Sequence, residues 1–394
     1  MMDNPHAHLD HGWPRVAAIL TPLIGGMVYC VQPGFVQGLT EYAGFSARDA
    51  GYLTAAEMVG IACTSVVLTF IAHRIHWRRA ITAFFLLELL GNLASIGIRD
   101  FEWLGVVRFV VGVGSGGAMS LGFALIGMTS APERNFGWNI GLAGLYAAIV
   151  MFALPEVFHA VGLTGLLVFF ALFAAFGLWL VRYVPERGAH GEPGAGGVEL
   201  SWLLKVPALG AILLYFAAQG AVWAYLFLIG TAGTLSEAQV ASALTLSGIA
   251  GILGGFTPTV LGDRAGRAGP LTVGVAIGLV AVWYLVGNFS AASYALAVSV
   301  YVFAWNMTHP FMLATYASFD RSGRVVVYAA ALQTIGMAVG PAIGASLITE
   351  GHYSPVNYLA VVLFALCLLL ILPATLMQAR SARAAAAAAT AAGS

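Results

Sequence analysis

Twelve stretches of about twenty residues, each nearly free of charge, run through this 394-residue chain and leave it few ways to fold. They cover 16–38, 50–72, 80–98, 103–128, 136–161 and 162–183, then 206–230, 238–261, 270–287, 291–318, 324–348 and 355–376. A helix rises about 1.5 Å per residue, so about 20 apolar residues match the hydrocarbon thickness of a bilayer. Helix is also what such a run must adopt there, because lipid offers no partner to a bare peptide N–H or C=O. Composition points the same way: 60% of residues are hydrophobic and 9% charged. Soluble domains carry about a quarter charged. The 48 glycines suit helices that approach one another closely in lipid. The chain reads as an all-α integral membrane protein.

Several function classes drop out on composition. The formal net charge is zero, which gives no basis for a nucleic-acid partner. Cys30, Cys63 and Cys367 lie inside apolar runs at no ligand spacing, so they read as small buried residues. No cofactor or metal is implied; His6, His8 and His11 read as a disordered tail rather than a metal site. No clustered catalytic set or nucleophile elbow appears, so the chain does not read as an enzyme. The first run is too long for a signal peptide and is expected to remain as a helix.

The runs fall into two sets of six. Residues 1–14 form an N-terminal tail, 15–184 the first set, 185–205 a polar Gly-rich linker, 206–378 the second set and 379–394 an Ala-rich tail. A compact charged knot, Leu261-Gly262-Asp263-Arg264-Ala265-Gly266-Arg267, joins the second and third runs of the second set. A cruder copy, Ile71-Ala72-His73-Arg74-Ile75-His76-Trp77-Arg78-Arg79, occupies the same place in the first, with His73 lying 190 residues before Asp263. Of the 17 Lys and Arg, 14 fall on the knot side, only Arg48 and Arg99 fall on the other, and Arg108 lies within a run. Basic residues gather in the cytoplasm, which puts both termini, the linker and both knots there. A bacterial-type plasma (inner) membrane is the expected location.

Leu261 to Arg267 resembles the acidic-Arg-x-Gly-Arg loop signature of the major facilitator superfamily. The resemblance spans about 15–376 and implies twelve transmembrane helices in two pseudo-symmetric six-helix bundles, with a solute cavity between them. It also implies that Asp263, Arg264, Gly266 and Arg267 latch one conformation. The first copy has His73 for the acid, followed by Arg74, and His76 for the glycine, so Asp263 is expected to matter more than His73. Gly340-Pro341-x2-Gly344 resembles the Gly-Pro element of the family's antiporters, but it sits in the eleventh run instead of the fifth. Gly137, Gly141 and Gly144, in the fifth, have no such proline after them, which favours import over export. These glycines, with Gly248, Gly251, Gly254 and Gly336, read first as close-packing faces.

The polar residues at membrane depth are the candidates for mechanism, because each is costly there. Arg108 opens Arg108-x3-Gly112-x-Gly114-x-Gly116, which resembles the fourth-helix motif of proton-coupled members. It shares a helical face with Gly112, Ser115 and Met119. Glu57 and Arg108 lie seven and five residues into runs that start on the same side, so they sit at similar depth and can pair. Such a pair could equally serve only to lock the bundle. Glu88 is nearer mid-membrane, where a carboxylic acid has the form expected of a proton carrier, although the family's third helix is peripheral.

Tyr301, Trp305 and His309 step by four along the tenth run beside Asn306, and Pro310 marks a bend. Gln219 and Trp223 repeat the spacing in the seventh run. Tyr29 and Gln32 in the first run and Gln333 in the eleventh add polar groups. In the family, helices one, four, seven and ten line the cavity, which gives the expected solute-binding set. Glu88, Glu57 and His309 are the expected proton-coupling groups. The chain is expected to act as a monomer, importing a small amphipathic or aromatic solute, a carboxylate being one such class, together with protons. A proton-driven drug or metabolite exporter is the alternative, and a non-transporting receptor the remote one.

Overall fold

The computed structural model describes residues 9, 11–187, 200–261, 268–319, 324–349 and 351–392, and each of the twelve apolar runs is helical over most of its length. No strand occurs among the described residues, beyond an isolated bridge between Thr349 and His352. Among the described residues, eight helices are long and apolar enough to cross a membrane. The first run is built from α1 (Gly12–Gly25), α2 (Met27–Cys30), α3 (Gln32–Gln37) and a π turn (Gly38–Tyr42). Proline explains part of the break: Pro33 has no N–H, so the Tyr29 carbonyl four residues back is left without its helical partner. Next come α4 (Ala47–Ile71), α5 (Trp77–Gly97) and α6 (Phe101–Gly127). Two runs then merge in α7 (Pro132–Leu180), where Gly162 adopts φ 61° and ψ −157°. Only glycine takes that conformation cheaply, and it divides α7 into two segments.

The second set comprises α8 (Trp202–Ala232), α9 (Glu237–Leu261), α10 (Ala268–Tyr284), α11 (Ala291–Ala317), α12 (Arg324–Leu347) and α13 (Ser354–Ala392). Within the first half, α4 and α5 pack on α6, and α1 and α5 on α7. The second half repeats the scheme with α8 on α12 and α13, and α9 and α10 on α11. The halves meet where α4 packs on α12, α7 on α9 and α3 on α8. Large apolar side chains such as Trp103, Phe152 and Leu369 point outward, as a lipid-facing surface requires.

Glycine sets the closest approaches. A Cβ on Gly112 would collide with the Glu57 carbonyl, and one on Gly60 with the Phe109 carbonyl, so α4 and α6 lie backbone to backbone. Gly336 and Gly340 do the same for α12 against the Leu213 and Ala217 carbonyls of α8, and Gly254 for α9 against Phe303. Gly137 and Gly141 differ from the close-packing expectation, since nothing lies within 4 Å of a Cβ placed there.

Candidate functional site

A cavity of about 340 Å³ lies between the halves and continues into a second lobe of about 800 Å³. Ile61, Met119, Asn306, His309 and Gln333 border both lobes. The second lobe reaches Thr69 and Ala72 at the end of α4 and Ala330 and Ala331 at the start of α12, so it opens towards the face that carries the linker. The opposite, far face is closed. There Arg48 Nη2 donates to the Ile348 carbonyl at 3.1 Å, Tyr225 Oη to the Ala47 carbonyl at 3.4 Å, and Tyr42 Oη to Glu237 Oε2 at 3.4 Å. Beside them Gln37 Nε2 donates to Glu41 Oε2 at 2.9 Å. Burial, reinforced by the charge of Glu237 and opposed by that hydrogen bond, holds the Glu41 carboxyl above the usual carboxylate range.

Three rings form the roof of the inner lobe. Trp223 Nε1 donates at 3.0 Å to the Tyr29 carbonyl, the acceptor that Pro33 left unpaired. The Trp305 ring lies edge-on to both, with centroids 6.2 Å from Tyr29 and 5.9 Å from Trp223. On α11, Asn306 Nδ2 donates back to the Val302 carbonyl at 3.0 Å, and His309 Nε2 lies 3.0 Å from Gln333 Oε1 of α12. The His309 ring packs edge-on against Phe216.

Seven of the residues expected to touch solute thus line the cavity: Tyr29, Met119, Trp223, Trp305, Asn306, His309 and Gln333. The other five lie behind the wall. Ser115 is 2% exposed on α6, and Gln32 is fully buried with neither amide atom partnered. Tyr301 is fully buried and donates its hydroxyl to the Gln219 carbonyl at 3.2 Å, and the Gln219 side chain is buried with it. Arg108 is the fifth. The sequence also left unmarked the apolar wall, including Met58, Phe216 and Met337, for which apolar periodicity in a membrane helix carries no signal.

Arg108 forms the centre of a separate, sealed cluster. Its Nη2 stands 2.6 Å from Glu57 Oε2 and its Nε donates to the same oxygen at 3.2 Å, both residues being 0% exposed. Nη1 donates to Asn92 Oδ1 at 2.9 Å and to Ser95 Oγ at 3.4 Å, while Phe35 covers the guanidinium at 4.7 Å. Asn92 and Ser95 were legible as a stripe: with Glu88 they step by four and three along one face of α5. Glu88 is 2% exposed, lies against Gly114 of α6, and its Oε1 has no partner.

The first knot turns back on its own half. His76 caps α5 by accepting from the Arg79 amide at 3.4 Å, and its Nε2 lies 3.6 Å from Glu186 Oε2. Arg78 Nε donates to the Val184 carbonyl at 2.9 Å, and Arg74 Nε to His73 Nε2 at 3.0 Å. Asp263, Arg264, Gly266 and Arg267 lie outside the described residues.

The comparisons with known proteins point one way. The D-xylose-proton symporter superposes with a TM-score of 0.72 at 15% identity, over 90% of this chain and 96% of its own. The nucleoside transporter NupG does so with a TM-score of 0.70 at 11% identity, over 93% and 100%. No curated protein matches the sequence. The family model of the Major Facilitator Superfamily matches residues 17–319, and on that match, with the fold laid over nine-tenths of its length, the chain belongs to the major facilitator superfamily.

Proposed function

We propose that the protein is a proton-coupled secondary transporter that imports a small amphipathic or aromatic organic solute by alternating access. The observation that carries this reading is a cavity between two halves, closed at one face by contacts between them and open at the other. With the linker face cytoplasmic, as the distribution of basic residues indicates, the conformation is inward-facing. The residues that wall the cavity from α2, α8 and α11 hold the solute, and the two halves rock about it. The setting is a bacterial inner membrane, with both termini cytoplasmic and the monomer as the working unit.

Proton coupling rests on the ionisable groups inside the halves. His309 borders the solute, while Glu57 and Glu88 flank Arg108 on helices that pack together. Deprotonation of Glu57 makes its ion pair with Arg108, and protonation dissolves it, so a proton arriving there changes how tightly α4 holds α6. Glu88, with an unpartnered oxygen in the same interior, is the residue from which that proton would come.

Flux into proteoliposomes tests the reading. Solute accumulation should follow an imposed inward proton gradient and vanish with a protonophore. Glu88→Gln should keep gradient-free solute exchange yet lose accumulation, because glutamine copies the neutral acid but releases no proton. Flux indifferent to gradient and protonophore would refute coupling. Accumulation driven only by an outward proton gradient, solute entering as protons leave, would make the protein a proton-solute antiporter and hence an exporter.

A further inference from the structure

Among the described residues the lining of the cavity carries no fixed charge, and that property narrows its occupant; the inference rests on the transport reading above. Among the described residues that wall both lobes there is no Asp, Glu, Lys or Arg. Arg108, the cation among the residues expected to touch solute, stands behind Phe35 and is already matched by Glu57. With His309 neutral, an anion entering this space would leave water and meet no counter-charge among the described residues, and so would a cation.

What the wall does offer is ring surface and neutral hydrogen-bonding groups. Tyr29, Trp223 and Trp305 present a corner in which a planar ring can make edge-to-face contacts. Asn306 gives one of its two amide N–H groups to the Val302 carbonyl and keeps Oδ1 to accept. Pro310, having no N–H, also leaves the Asn306 backbone carbonyl without its usual helical partner. Gln333 gives its oxygen to His309 and keeps its amide N–H groups as donors.

We propose that the solute is uncharged at neutral pH: a planar or aromatic ring carrying an amide-like edge with a donor beside an acceptor. The ring occupies the Tyr29–Trp223–Trp305 corner, the donor meets Asn306 and the acceptor meets Gln333. Carboxylates are rejected.

Three planar probes of nearly equal shape test the proposal: benzamide, benzoate and benzamidinium. Each is titrated calorimetrically into purified full-length protein at about pH 8, where an ordinary imidazole of pKa about 6.5 is neutral. Benzamide should bind, and both ions should bind roughly tenfold or more weakly. Asn306→Asp places a carboxylate in the wall at almost unchanged volume and should reverse the order in favour of benzamidinium. Gln333→Glu should do the same, and serves if Asn306→Asp does not fold. Benzoate binding as tightly as benzamide overturns the proposal, as does a preference unmoved by either new carboxylate. Binding by none of the three overturns the assigned occupant, while proton-driven flux of other solutes would leave the transport reading standing.

Discussion

Arg108 distributes its donors over two neighbouring helices, to Glu57 on α4 and to Asn92 and Ser95 on α5. All of these partners are buried, so no water is at hand to replace one that is lost. Removing one member of such a pair typically costs about 3–5 kcal/mol, because the other charge is stranded in the interior. Glu57→Gln and Arg108→Ala should therefore each lower the melting temperature in detergent markedly. The double variant should lose less than the sum of the two, which a double-mutant cycle reads directly. Additive losses would mean that the 2.6 Å contact contributes no coupling. The pairing could be anticipated from the depths of the two residues in their runs. That Arg108 faces the bundle interior and not the solute could not, because a helical face shared with Met119 does not say where a long side chain turns.

Element packing turns on a few atoms of backbone clearance. Gly112 abuts the Glu57 carbonyl, so Gly112→Ala must push α6 from α4 and loosen the ion pair next to it. Overpacking of this kind costs about 1–3 kcal/mol. Gly141→Ala meets open space within a helix, where alanine's propensity makes the change neutral or stabilising by up to about 1 kcal/mol. Thermal unfolding of the two variants side by side checks the contrast, and equal losses would contradict it. Both glycines belong to periodic glycine faces, so sequence spacing alone could not separate them. Spacing says which residues share a face, and only the neighbouring helix decides whether that face is tight.

The far-face contacts give an element-scale pH dependence. Burial and the nearby Glu237 charge raise the Glu41 carboxyl above its ordinary range, with the Gln37 hydrogen bond opposing. Tyr42 and Tyr353 also stand near these carboxylates. A raised acid binds its proton more tightly in the closed arrangement than in an opened one. Closure therefore gains as pH falls into the raised range and loses that gain as pH rises above it. Hydrogen exchange at residues 42–49, corrected for its intrinsic pH dependence, should slow on going from about pH 7 to pH 5. Glu41→Gln should abolish the change, and a wild-type response that survives this substitution would refute the role of Glu41.

At the scale of the whole molecule, the twelve apolar runs and the repeated charged loop carry the architecture openly, since lipid permits little besides helix. Pro33 and Gly162 mark the interruptions, but the sequence does not show that the Tyr29 carbonyl freed by Pro33 is taken up by Trp223 from the other half. On the proposed alternating-access reading, contacts between halves depend on which of two conformations is adopted, and one sequence encodes both. In the proposed mechanism the halves rock about the cavity, opening each face in turn. Thr69 and Ala331 border the opening on the linker face from opposite halves, and paired spin labels there report its width. The labels require Cys30, Cys63 and Cys367 to be replaced by serine. In lipid nanodiscs the distance distribution should contain a wide population, matching the open lobe, and a narrower one, with solute and pH shifting the balance between them. A single distance that neither solute nor pH alters would contradict alternating access.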